Sequence, residues 1–203
     1  MLTMIGAGPG DIRYLTLEAA EEIRRAPSLL AFPRVAESIR ALRRDVEAVA
    51  SVDEMLARIR EAGDTDVAVL VSGDALFFGF AKTLQARGIR TDRILPGISS
   101  VQYAFSKLQI PWEGARFLSF HGRDADLDAV AGLGPVAILL DRKYSAERLS
   151  FELYARGVRG KMTAISRASY PDERIVRASI GDAMAVDADL ALAVIEIEVD
   201  GRR

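Results

Sequence analysis

Residues 67–71 constrain this chain more than any other stretch. Val67-Ala-Val-Leu-Val71 is apolar without polar alternation, which suits a strand covered on both faces, as in a parallel sheet. It ends at Ser72-Gly73-Asp74, after which Leu76, Phe77, Phe80 and Leu84 recur at helical spacing up to Gly88. A buried strand running into a glycine turn and then a helix places that turn at the carboxyl edge of a sheet. Open α/β folds bind their ligands there. Taken alone, the glycine and the aspartate could equally do no more than turn and cap the chain.

Two further stretches repeat the pattern. Leu2 to Ile5 reads as a strand leading into Gly6-Ala-Gly-Pro-Gly-Asp11. This looks like a dinucleotide fingerprint, but Pro9 removes an amide where a phosphate cradle would want one. The next helix opens only at Thr16, its expected N-cap, with Leu17, Ala20 and Ile23 expected on one face. The second strand, near Leu29 to Phe32, ends in Pro33 and not in the acid that would hold a ribose. Both features argue against a nicotinamide site. The glycines suggest instead a backbone that something large approaches closely. Arg93-Ile-Leu95 is a third strand, followed by Pro96-Gly-Ile-Ser-Ser100 and a helix over 101–108. The two hydroxyls either cap that helix or contact a ligand.

Composition narrows the function classes. A chain of 203 residues holds one large domain or two of roughly 100 residues each. The net charge of −2 leaves no overall basic footprint for nucleic acid, and Arg40, Arg43 and Arg44 read as a solvated helix face. Cysteine is absent, which excludes disulfides and thiolate metal sites. A single histidine, His121, argues against a histidine-based metal centre. No stretch resembles a signal peptide or approaches the ~20 apolar residues of a membrane span. A cytoplasmic protein binding neither membrane nor nucleic acid is expected.

Elsewhere, Val35, Ile39 and Leu42 mark a helix, and Ser51-Val-Asp-Glu54 is a capping box opening another. Ile110-Pro-Trp-Glu-Gly114 reads as a break, giving domains 1–113 and 114–203. Beyond it, Phe117 to Phe120 is a strand leading to His121-Gly-Arg123, and Leu127 to Ala131 a short helix. Val136 to Leu140 is a buried strand, and Ser145 caps a helix with Leu149 and Leu153 inward that ends at Gly157. Strands over 161–167, 175–179 and 190–199 complete the chain.

Together, Gly6-Ala-Gly-Pro-Gly-Asp11, Ser72-Gly-Asp-Ala-Leu-Phe-Phe-Gly79 and Pro96-Gly-Ile-Ser-Ser100 resemble the three loops of the tetrapyrrole methylase family, in its order and at its approximate spacing. The stretch from Trp112 through Phe117-Leu-Ser-Phe-His-Gly-Arg123 is similar to the cobalamin-pathway branch that methylates carbon 5 of a precorrin (cobalt-precorrin-7 or precorrin-6Y). Tyr170-Pro-Asp-Glu-Arg-Ile175 is a weaker match. The resemblance implies two α/β domains with the active site in the cleft between them, a homodimer, and S-adenosylmethionine held mostly by main-chain groups. Carried over residue by residue, it implies that Pro9, Gly73, Asp74, Phe77, Ser99 and Ser100 line the cofactor, with the pair Arg167 and Ala168.

The chain departs from the family in having Ala75 where Pro commonly follows Gly-Asp, which removes a backbone restriction from that loop. The many carboxylates of a precorrin suit arginine partners, so His121 and Arg123 are the candidate substrate contacts, against the alternative of a structural histidine and a surface arginine. Methyl transfer from a sulfonium needs alignment and exclusion of water rather than a triad, and no catalytic base is assigned. The chain ends at Arg203 without the second domain some relatives carry, so a separate carbon 15 methyltransferase and decarboxylase is expected. The alternatives are a family member acting on ribosomal RNA or a diphthine precursor, a nucleotide-binding oxidoreductase, and a silent ligand-binding module.

Overall fold

The computed structural model describes residues 1–122, 126–130, 132 and 134–198. The chain forms two units, residues 1–100 and 101–203.

In the first unit, elements follow in the order β1 (Leu2–Gly6), α1 (Leu17–Arg25), β2 (Leu29–Ala31), α2 (Pro33–Ser38), β3 (Glu47–Ala48), α3 (Val52–Glu61), β4 (Val67–Val71), α4 (Ala81–Ala86) and β5 (Arg93–Leu95). The sheet runs β3-β2-β4-β1-β5 with every pairing parallel. β4 sits in its centre, buried along its whole length. Val67, Val69 and Val71 pack with Met4, Met55 and Leu56 on one face, while Ala68 and Leu70 join Ile5 and Ile23 on the other. Two apolar faces explain why the run carries no polar alternation.

Local signals set the helices. Thr16, Ser51 and Ser145 each accept an amide three residues on, as N-caps do. Glu54 completes its box one residue early, accepting the Ala50 amide at 3.0 Å. At the end of α4, Gly88 is left-handed (φ 67°), and the Ile89 amide reaches the Leu84 carbonyl at 3.0 Å, a Schellman stop.

Four expectations for the first unit need correction. The apolar spacing after Val71 does not make a helix from Leu76: residues 72–80 form an irregular loop, and α4 starts only at Ala81. The buried face of α1 is Ala19 and Ile23, whereas Leu17 is exposed. The helix through Val35 stops at Ser38, before Leu42. Arg43 is no solvated residue, because its guanidinium donates to the carbonyls of Ile23 and Ala26 and pairs with Asp45.

The second unit carries α5 (Ser100–Leu108), which starts at the boundary, then β6 (Arg116–Ser119), β7 (Val136–Leu139), α6 (Ala146–Ala155), β8 (Gly160–Ser166), β9 (Arg174–Ser179) and β10 (Ala191–Ile197). Its sheet, β6-β7-β10-β8-β9, is parallel only between β6 and β7. Leu149 and Leu153 of α6 close one face over Ile138, Met162 and Ala193. Where a helix was expected over Leu127 to Ala131, a single 3-10 turn spans Asp128–Val130, and Ala131 lies outside the described residues.

Candidate functional site

The loops after β1, β4 and β5 leave adjacent strands at one edge of the parallel sheet, and their glycines let them touch backbone to backbone. A Cβ on Gly97 would stand 2.2 Å from the Gly73 carbonyl oxygen and 2.7 Å from the Gly6 carbonyl carbon. One on Gly6 would meet the Gly97 nitrogen at 2.5 Å and the Gly73 oxygen at 2.7 Å. Gly8 and Gly73 exchange amide–carbonyl bonds at 3.2 and 2.7 Å, an isolated antiparallel bridge that joins the two loops just beyond the parallel β1–β4 ladder. At Gly6 the close approach comes from the protein's own neighbouring loops. Gly73 differs. Its φ of 65° is left-handed, but a Cβ there would make only ordinary contacts, with the Ser99 Cα at 3.5 Å and the Ser100 nitrogen at 4.0 Å. Conformation, not crowding within the protein, calls for glycine at that position.

Asp74 ties two of the loops together. One carboxylate oxygen accepts the Leu76 amide at 2.8 Å and the other accepts the Gly97 amide at 3.1 Å. Asp11 is likewise engaged, capping the 3-10 turn Ile12–Tyr14 and pairing with Arg13. The Arg13 hydrogen bonds hold its carboxyl below the usual range. Pro9 and Gly73 are buried, Ser99 is 5% exposed, and Ser100 opens α5 half-buried. Phe77 is half-buried with its ring edge-on to Phe78 at 4.8 Å, while Leu76 and Phe78 stand exposed. Ala75, in the proline's place, is fully buried, and Gly79 packs so tightly that a Cβ would meet the Ala75 oxygen at 2.4 Å. The structure thus gathers Pro9, Gly73, Asp74, Phe77, Ser99 and Ser100 on three loops of one sheet edge.

In the second unit, Arg167 and Ala168 occupy the turn from β8 toward β9. Arg167 pairs through Nε with Asp172 and lies over the Tyr170 ring at 5.0 Å. Ala168 is buried. His121 is exposed after β6, in a turn whose Gly122 amide donates to Asp141 at 2.9 Å. That bond and the Tyr144 amide hold the Asp141 carboxyl below its usual range. Arg123 lies outside the described residues.

Sequence reasoning missed one cluster. Glu173 accepts the Ser169 amide at 2.7 Å and pairs with Lys107 at 3.2 Å, and its side chain is only 13% exposed. Burial works against its charge, yet the Tyr103 hydroxyl, the Ser169 amide and Lys107 hold its carboxyl below the usual range. Burial, and then Glu173, push Tyr103 up to about 12. The only advance signal was Glu173 within the Tyr170–Ile175 stretch, because Tyr103 and Lys107 reach it from far away in sequence.

Comparison with known proteins agrees with this architecture. The cobalt-precorrin-7 C(5)-methyltransferase of Salmonella typhimurium is 31% identical over 200 residues, covering 97% of this chain and 98% of that protein. Among solved structures, the cobalamin biosynthesis precorrin-6Y methylase of Archaeoglobus fulgidus superposes with a TM-score of 0.77 at 24% identity, covering 98% of this chain and 99% of that one. The uroporphyrin-III C-methyl transferase of Thermus thermophilus, complexed with S-adenyl homocysteine, gives 0.76 at 24% identity, with 96% of each chain covered. The family model of the Tetrapyrrole (Corrin/Porphyrin) Methylases matches residues 1–184, and the chain belongs to that family.

Proposed function

We propose that this chain is an S-adenosylmethionine-dependent C-methyltransferase that methylates carbon 5 of a precorrin in cobalamin biosynthesis. The observation that carries the reading is the meeting of the Gly6–Asp11, Ser72–Gly79 and Pro96–Ser100 loops at one sheet edge. End-to-end similarity to a cobalt-precorrin-7 C(5)-methyltransferase supports the choice of ring carbon.

The loops fit such a cofactor. With the Asp74 carboxylate committed to Leu76 and Gly97 and that of Asp11 to Arg13, the edge offers mainly peptide groups and the Ser99 and Ser100 hydroxyls. When bound, S-adenosylmethionine supplies an electrophilic methyl: the carbon–sulfur bond breaks with its electron pair going to sulfur, and the ring carbon supplies the pair of the new bond. The chain's own work is to hold and align. Pro9, Gly73, Asp74, Phe77, Ser99 and Ser100 line the cofactor, joined by Arg167 and Ala168, while His121 and Arg123 face substrate carboxylates. The same reading includes a homodimer, a cytoplasmic enzyme and two domains, 1–113 and 114–203. No helix among the described residues is long and apolar enough to cross a membrane.

S-adenosylhomocysteine should raise the melting temperature by about 5–10 °C at a hundredfold excess over its dissociation constant, and NADH should not. Absence of any shift with millimolar S-adenosylhomocysteine would remove the reading. Incubation with S-adenosylmethionine and a panel of precorrins, followed by mass detection, then identifies the substrate. For the substrate side, Arg123→Ala should lower catalytic efficiency roughly 10- to 150-fold through loss of one charge-assisted contact, with S-adenosylhomocysteine affinity unchanged. Unaltered efficiency would make Arg123 a surface residue.

A further inference from the structure

Backbone strain gathers at one end of the second sheet. Arg167 and Ser169 both sit in left-handed conformation, φ 51° and 67°, and neither is glycine. Leu190, whose carbonyl accepts the Arg167 amide at 3.2 Å, is a third, with φ 56°. Such conformations persist where the surroundings over-determine them, and they collect at functional sites. At Ser169 the surroundings converge on a single carboxylate. Glu173 accepts the Ser169 amide on one oxygen and the Lys107 ammonium on the other, and the Tyr103 hydroxyl donates to the same group. Tyr103 and Lys107 lie one turn apart on α5, with the ammonium 5.9 Å from the centre of the Tyr103 ring. All three partners are donors, so an acceptor-only carboxylate suits the position better than an amide would. The helix that anchors it is the one that begins at Ser100.

We infer that Glu173 is a positioning residue for the cofactor: anchored to α5 through Tyr103 and Lys107, it holds the left-handed Arg167–Ser169 turn in the form that presents Ala168 to S-adenosylmethionine. The inference rests on the proposed function, in which Arg167 and Ala168 line the cofactor. Arg167 has its own side-chain partners in Asp172 and Tyr170. The Ser169 amide donates to Glu173, and loss of that acceptor is expected to let the turn relax toward ordinary backbone.

The test is calorimetric titration of S-adenosylhomocysteine into the wild-type protein, Glu173→Ala, Glu173→Gln and the double variant Tyr103→Phe/Lys107→Met. Amide hydrogen exchange is followed across residues 167–170 in each. Glu173→Ala should bind about tenfold more weakly, as expected if the competent turn is populated about one-tenth of the time, and exchange at Ser169 should accelerate. Glu173→Gln keeps one acceptor and should recover part of the affinity. The double variant leaves the carboxylate but removes its anchors, and should show the same kind of loss even if Glu173→Ala does not fold. Binding within about twofold of wild type in Glu173→Ala, or in the double variant when Glu173→Ala is unfolded, overturns the inference. So does equal loss in Glu173→Ala and Glu173→Gln with unchanged exchange. A wild-type protein that does not bind S-adenosylhomocysteine overturns the cofactor reading itself, a separate result.

Discussion

Gly97→Ala should abolish S-adenosylhomocysteine binding and destabilise the protein more than any other single-methyl change in the three loops. The added carbon would stand 2.2 Å from the Gly73 oxygen and 2.7 Å from the Gly6 carbonyl carbon, so backbone crowds it from two loops. No flexible side chain can swing aside. Overpacking costs typically 1–3 kcal/mol and occasionally more, and rigid surroundings put this case at the upper end. A fall of about 6–12 °C in melting temperature follows for a chain of this size. Gly73→Asn is the informative contrast. Its Cβ meets only ordinary contacts, with the Ser99 Cα and the Ser100 nitrogen, and Asn tolerates φ 65° better than most residues, so stability should change little and any lost affinity reports the ligand's own need for space. A Gly97→Ala protein that melts within 2 °C of wild type, by a loss of under about 1 kcal/mol, would mean the loops are not in mutual contact.

Asp74→Ala should uncouple the second loop from the third. It removes the acceptor of two amides, those of Leu76 and Gly97, at 2.8 and 3.1 Å. Hydrogen bonds to charged groups contribute about 1.5–3 kcal/mol each, and loss of one such contribution corresponds to roughly 10- to 150-fold in affinity if it is expressed in loop order. Asp74→Asn should fall between, since its NH₂ must face one of the two N–H donors. Denaturant midpoints and calorimetry separate the two effects. If Asp74→Ala binds S-adenosylhomocysteine as tightly as wild type, the carboxylate is not what holds these loops for the ligand.

Legibility in the sequence followed the range of each interaction. Thr16, Ser51 and Ser145 act within one turn of chain, and each caps its helix as its neighbours suggest. Val67–Val71 announces its two covered faces by composition alone. β3 announces nothing, because Glu47 and Ala48 are both exposed on an edge strand two residues long. The helix expected from Leu76 failed for a local reason that periodicity does not register. The Asp74 carboxylate turns the chain at Leu76, and Phe78 takes a left-handed φ of 52°. In the candidate site, the glycine loops were legible as a pattern. That Gly6, Gly73 and Gly97 meet one another, and that Tyr103 and Lys107 reach Glu173, required the fold.

The placement of β1 has a consequence for synthesis. The first strand of this sheet to be made is interior to it, and its partners are the last two strands of that sheet to appear: Leu2 pairs with Val67, and Thr3 with Arg93. At ~5–20 residues per second, a nascent β1 waits roughly 3–13 s for its first neighbour, with both hydrogen-bonding edges open and four side chains, Leu2 to Ile5, destined for burial. Folding of this half cannot proceed outward from the amino terminus. β5 closes it, and a ribosome that stops before Arg93 releases a β1 with one edge still unpaired.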